Sequence, residues 1–189
     1  MPRDSHAARA RLLEAAFAEF AAHGMAGARV DRIAEAADAN KRLIYAYFGN
    51  KERLFDEVLC RAEEAGVEAV PFDADDLPGY AGAVFDHLVA RPDLMRLRLW
   101  QLLERPTADG AEPEAARRRT ADAAAAQRRG ALSREMAPAD LLTMVLAAAQ
   151  AWFWAGQGGV NWSPKRLAEH RAAVVETARR LSAPEPTTE

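Results

Sequence analysis

Apolar residues recur at intervals of three and four along most of the chain, the spacing of a helix that buries one face. Between Ser5 and His23 the stripe is Leu12, Leu13, Ala16, Phe17 and Phe20, with Ser5 as N-cap and Gly24 as the C-terminal stop. Val30, Ile33, Ala34 and Ala37 mark a short second helix, which Asp38-Ala39-Asn40 interrupts. A third helix from Lys41 to Phe48 buries Ile44 and Phe48, and Gly49-Asn50 separates it from a fourth carrying Leu54, Phe55, Val58 and Leu59. Pro71, Pro78 and the acids Asp73, Asp75 and Asp76 break the pattern between Gly66 and Gly79 and predict a linker between two bodies. Beyond it the pattern predicts helices over Tyr80–Ala90, Pro92–Arg105, Pro113–Arg129, Pro138–Trp154 and Pro164–Leu181. Loops at Pro106–Glu112 and Gly156–Gly159 separate the last of these, and a polar tail, Ser182–Glu189, follows. The reading gives about nine helices, with no strand candidate and no internal repeat.

Composition agrees. The 189 residues contain 44 Ala, 18 Leu and 5 Met against 10 Val and 2 Ile, which favours an all-α fold. The length allows one domain, or a small one joined to a medium one. A net charge of −3 argues against a globally basic nucleic-acid binder, so charge has to be read locally. Cys60 is the single cysteine, which implies no disulfide and fits a reducing compartment. The polar N-terminus lacks the apolar run of a signal peptide and no segment is apolar enough to span a bilayer, so the expectation is a cytoplasmic protein without membrane association.

Two short helices joined by a tight turn, the second with exposed polar and aromatic residues, have the form of a helix-turn-helix. The stretch Arg9–Leu59 resembles the DNA-binding domain of the TetR family in residue type and order, through ARLLEAAFAEFAAHG, ARVDRIAEAADAN and KRLIYAYFGNKERLFDEVL. The resemblance implies a helix-turn-helix DNA-binding domain over residues 1–50 and a larger helical regulatory and dimerisation domain over 51–189, connected by a helix over 51–65. It also implies a transcriptional regulator, usually a repressor, that acts as a homodimer on a palindromic double-stranded operator and answers to a small-molecule effector of unknown identity. No cofactor, metal or catalytic residue is implied.

Asn40, Lys41, Arg42 and Leu43 open the third helix, where side chains reach base edges. The two cations suit guanine acceptors and Leu43 a thymine methyl. In the family the positions of Tyr45 and Tyr47 commonly touch the DNA backbone. Lys51 opens the fourth helix, where an ammonium group favours phosphate. Two departures from the family pattern matter. Asp38 stands where the turn usually has Gly, and Asp tolerates a left-handed backbone. Ala28 and Arg29 stand where two Thr-type residues usually cap the second helix and bind phosphate, so the hydroxyl cap is missing and Arg29 is left to supply the contact by charge.

In the second body Leu141, Val145, Ala148 and Trp152 on one helix, and Leu167, Val174, Ala178 and Leu181 on the last, form apolar stripes. They suit a dimer interface, as the resemblance implies, or an intrachain core. Tyr80, His87, Trp100, Gln101, Met144, Gln150 and Trp154 are the candidate ligand-binding residues; aromatic and Met side chains line a cavity and fill a core equally well. The run Arg117-Arg118-Arg119 reads as an anion site or a solvated face. Enzyme chemistry finds little support: His6, His23, His87 and His170 are scattered, and Gly156-Gln157-Gly158-Gly159 lacks the strand and spacing of a phosphate loop.

Overall fold

A computed structural model describes residues 2–105, 114–154 and 162–184. The described residues form nine helices and no strand: α1 (Pro2–Gly27), α2 (Val30–Ala36), α3 (Lys41–Phe48), α4 (Lys51–Ala69), α5 (Leu77–Ala90), α6 (Pro92–Glu104), α7 (Glu114–Arg129), α8 (Pro138–Trp154) and α9 (Pro164–Ser182). The loop expected at Pro106–Glu112 and the turn at Gly156–Gly159 lie outside the described residues. Ser5 falls inside α1, not at its N-cap. The expected linker shrinks to residues 70–76, because Asp76 caps α5 by accepting the N–H of Gly79 at 2.8 Å. Pro78 then occupies the first turn, where a missing N–H costs nothing.

The chain packs as two units divided by contact and not by sequence order. One comprises residues 1–66 with 93–110, the other 67–92 with 111–189. The first therefore takes in most of α4, and α6 as well, instead of ending near residue 50. Its core gathers Leu12, Phe20, Ile33, Ile44, Leu54 and Phe55, with Leu97 brought in by α6. Phe20 and Phe55 meet edge to face at 5.0 Å between ring centroids, the arrangement that aligns a positive ring edge with a negative ring face.

The second unit is built on α5, which packs against α8 and α9, with α7 against α8. Phe85, Ala123, Ala126, Leu141, Val145, Ala149, Val174 and Ala178 fill its core. The small side chains allow close approach of the helices: a Cβ at Gly82 of α5 would stand 3.0 Å from Val175 Cγ2 of α9. The end of α7 is closed by Gly130 at φ 79°, whose N–H bonds to Gln127 O while that of Ala131 bonds to Ala126 O, the paired bonds of a Schellman motif. The buried Gln127 amide donates to the carbonyls of Ser133 (2.7 Å) and Met136 (2.9 Å) and so pins the loop that leads into α8.

The expected dimer contacts need correction here. Leu141, Val145, Val174 and Ala178 are buried within a single chain, so they have no surface left to offer a second copy and belong to the intrachain core. Trp152, Leu167 and Leu181 are partly buried against that same core, and Ala148 is half-buried. The apolar surface left open on α8 lies on its other face, where Met144, Ala147, Ala151 and Trp154 are exposed.

Candidate nucleic-acid interface

The turn between α2 and α3 sets the geometry of the reading helix. Asp38 adopts φ 48°, and its N–H bonds to Glu35 O while that of Ala39 bonds to Ala34 O, so an aspartate fills the left-handed position of a Schellman motif. Arg11 of α1 donates from Nε to Ala37 O at 3.2 Å and satisfies a carbonyl at the same helix end. Asn40 then begins α3: its Oδ1 accepts the N–H of Arg42 at 2.9 Å, which commits this oxygen to helix capping.

The start of α2 is held from another helix. Arg29 is the N-cap residue and offers no side-chain bond, but its own N–H reaches Glu19 Oε1 of α1 at 2.8 Å. Arg32 donates from Nε to the same oxygen and from Nη2 to Gly27 O. Burial raises the Glu19 pKa, but the bonds from Arg32 and Arg29 and the charges of Arg32 and His23 outweigh it, so the carboxyl titrates below the usual glutamate range. Sequence reasoning missed Glu19, since an acid on a helix surface carries no local signal of a partner ten residues on.

The expected DNA-reading residues divide by what already holds them. Arg42 is exposed and its guanidinium has no partner among the described residues. Lys41 is exposed but pairs with Asp31 of α2 at 2.7 Å; this hydrogen bond and charge raise the lysine pKa and lower that of the aspartate. Leu43 is half-buried against the first core. Tyr45 is exposed, whereas Tyr47 lies half-buried, its ring edge to face with Phe48 at 6.1 Å. Arg29 is exposed. Lys51, expected to face phosphate, is half-buried and donates from Nζ to Ala28 O at 3.3 Å, which ties the start of α4 to the loop before α2.

A second set of contacts joins α6 to the end of α1. Gly24 breaks α1 with φ 69° and ψ 178°, a backbone region that glycine alone occupies readily. Arg96 donates to the carbonyls of Ala21 and Ala22 on one side of this break, and Glu104 accepts the N–H groups of Met25 (2.6 Å) and Ala26 (3.2 Å) on the other. Trp100 sits between them, so close that a Cβ at Gly24 would lie 2.8 Å from its ring. Arg96, Trp100 and Glu104 are spaced four apart and share one face of α6.

The candidate ligand residues are divided between the two units. Trp100 and Gln101 belong to the first unit, where Gln101 accepts from Arg98 at 2.6 Å. Tyr80 is buried, edge to face with Phe72, and accepts from Arg119 at 3.1 Å. Met144 and Trp154 are exposed on α8, while His87 and Gln150 are half-buried, with His87 Nε2 buried and unpartnered among the described residues. Arg117 and Arg118 pair with Glu114 one turn back, the arrangement of a solvated helix face. The Cys60 thiol is pushed up by burial and by Glu64.

This arrangement, a tight turn between two short helices of which the second carries a free arginine at its start, both set on the first core, is that of a helix-turn-helix DNA-binding regulator. Residues 12–58 match the bacterial regulatory proteins of the tetR family, and residues 76–180 match the tetracyclin repressor-like C-terminal domain. The chain is 43% identical over 151 residues to the HTH-type transcriptional repressor SCO4008 of Streptomyces coelicolor, covering 78% of this chain and 79% of that one. It is 45% identical over 51 residues to the HTH-type transcriptional repressor NicS of Pseudomonas putida, covering 27% and 24% of the two chains. Among solved structures it resembles the transcriptional regulator SCO4942 of Streptomyces coelicolor at TM-score 0.78 and 38% identity, over 94% of this chain and 99% of that one. The chain belongs to the TetR family: it is a DNA-binding transcriptional regulator, of a family that is not a class of enzymes. No helix among the described residues is long and apolar enough to cross a membrane.

Proposed function

We propose that the protein is a cytoplasmic, effector-responsive repressor that binds a palindromic operator as a homodimer and reads it with the first turn of α3. The observation that carries this reading is Arg42, exposed and unpaired at the start of a helix whose geometry is fixed from both sides by the Asp38 turn and the Asn40 cap. Its guanidinium is free to meet the two acceptors of a guanine in the major groove. Lys41 follows once it exchanges Asp31 for a base or a phosphate. Arg29, Tyr45 and Tyr47 flank this turn and hold the DNA backbone, and Lys51 joins them only once it gives up Ala28 O.

The second copy docks on the open face of α8. Met144 and Trp154, 51% and 48% exposed, lie on the same side of the helix as Ala147 and Ala151 and leave an apolar surface that begins one turn after Asp140. Effector response is supported by the path of the chain. α5 of the second unit ends one residue before α6, and α6 is fastened to α1 at Gly24 by Arg96 and Glu104. A ligand that favours a shifted α5 draws on this fastening, so ligand and operator oppose each other through one coupling free energy.

Selection of duplexes from a random pool by the purified protein, followed by salt titration of the selected sequence against scrambled DNA, tests the reading. A palindromic consensus with a steep salt dependence is the expected result. Absence of enrichment at both low and moderate salt overturns it. Met144→Glu with Trp154→Glu is expected to yield monomer by sedimentation and to lose operator binding; a dimer in that variant places the interface elsewhere.

A further inference from the structure

At the C-terminal end of α3 the first unit carries an open groove of about 610 Å³, lined by Tyr45, Tyr47 and Gly49 and by one face of α4, including Arg53, Asp56 and Glu57. Its acids are already neutralised. Asp56 is paired with Arg105, and Glu57 binds Arg9 at 2.6 Å. Arg53 differs. Its backbone N–H caps onto Asn50 Oδ1 at 2.7 Å, and its guanidinium lies over the bare backbone of Gly49, without a carboxylate partner among the described residues. The groove thus holds two balanced ion pairs and one unbalanced positive charge, next to the half-exposed ring of Tyr45. An anion that enters meets a planar fork of donors and a phenolic hydroxyl, the donor set that suits a phosphodiester.

Lys51 strengthens the case, because its ammonium is half-buried and turned toward Ala28 O, so the backbone charge beside α3 needs a further cation. We propose that Arg53 is a phosphate-contact residue, which holds a DNA backbone phosphate in this groove with Tyr45 donating beside it. The proposal rests on the reading of α3 as the helix that enters the major groove. Such a contact fixes the register of the reading helix without reading sequence itself. Gly49 has a part in it, since a side chain there fills the space over which the guanidinium lies.

The test is a salt titration of DNA binding by the full-length protein, in its wild-type form and as Arg53→Gln and Arg53→Lys. Each phosphate neutralised contributes about 0.9 to the slope of log K against log salt. Arg53→Gln is expected to weaken the operator and scrambled DNA by the same factor and to flatten the slope by about one. Arg53→Lys is expected to restore the slope. An unchanged slope in Arg53→Gln, with thermal unfolding like wild type, overturns the proposal. A loss confined to the operator, with scrambled DNA unaffected, also overturns it by making Arg53 a base reader. Failure of the wild-type protein to bind any duplex is the separate failure of the DNA-binding reading itself.

Discussion

Glu19 accepts the backbone N–H of Arg29 at 2.8 Å, so the start of α2 is held from α1 and not by a side chain at the cap position. A carboxylate of α1 thus holds the N–H of the cap residue and the Arg32 guanidinium together, the part that the reciprocal glutamate plays in a capping box. Glu19→Ala is expected to cost about 1 kcal/mol from the cap alone, read as a fall in the midpoint of urea unfolding. The pH dependence has a definite sign. Because the folded carboxyl titrates below its unfolded value, its contribution is complete above the ordinary glutamate range and is lost as pH falls through the folded value. Glu19→Gln therefore shows a shallower acid limb in a plot of stability against pH.

Gly24→Ala meets two obstacles at once. The backbone at φ 69°, ψ 178° strains any side chain, and the added Cβ would stand 2.7 Å from Glu104 Oε1 and 2.8 Å from the Trp100 ring. The expected loss is on the order of 1–3 kcal/mol from the backbone alone. A thermal midpoint equal to wild type would show that α6 is not held at this point.

Asp31→Asn releases Lys41 from its partner and removes a negative charge beside the reading helix. Binding to operator and scrambled DNA is expected to tighten together, with a salt slope steeper by about one unit and a smaller ratio between the two affinities. Weaker operator binding with scrambled DNA unchanged would instead make Asp31 the group that aims Lys41.

Gln127→Leu leaves the carbonyls of Ser133 and Met136 without their donor inside the second unit. Unsatisfied buried groups cost about 1–3 kcal/mol, and this is the loss expected in denaturant unfolding. Gln150→Leu, half-buried on α8, serves as the comparison and is expected to change little.

His170 lies 3.9 Å from Trp152 between ring centroids, and burial together with the Arg166 charge lowers its pKa. The folded chain resists a proton that the unfolded chain accepts, so stability is full above the ordinary histidine range and falls as pH drops through it toward the folded value. His170→Phe is expected to remove that loss; a profile identical to wild type over the same range would count against it.

The helices were legible because their stripes are local: α3 and α8 fall over the expected residues, and the aspartate expected to tolerate a left-handed turn does so at Asp38. What each stripe packs against was not legible. The apolar faces of α8 and α9 announced burial at Leu141, Val145, Val174 and Ala178, but periodicity does not distinguish a partner helix of the same chain from one of a second copy. The same limit separates Trp100 and Gln101 from the other ligand candidates, since nothing on α6 itself indicates that Gly24, 76 residues upstream of Trp100, is its partner. Among charged residues, type suggested DNA for both Lys41 and Lys51; only their neighbours, Asp31 and Ala28 O, show that the two are held.

The first unit is assembled from two separated stretches of chain, with α5 inserted between them. During synthesis the ribosome delivers α1 to α4 first, yet Leu97, Arg96 and Glu104 do not exist until α5 has been made. The DNA-reading unit therefore waits for its last helix, and a nascent chain stalled after α4 exposes the apolar surface that α6 will later cover. A fragment cut at the apparent boundary after α4 lacks the same helix, and with it Leu97 of the first core and the Arg96 and Glu104 bonds on either side of Gly24.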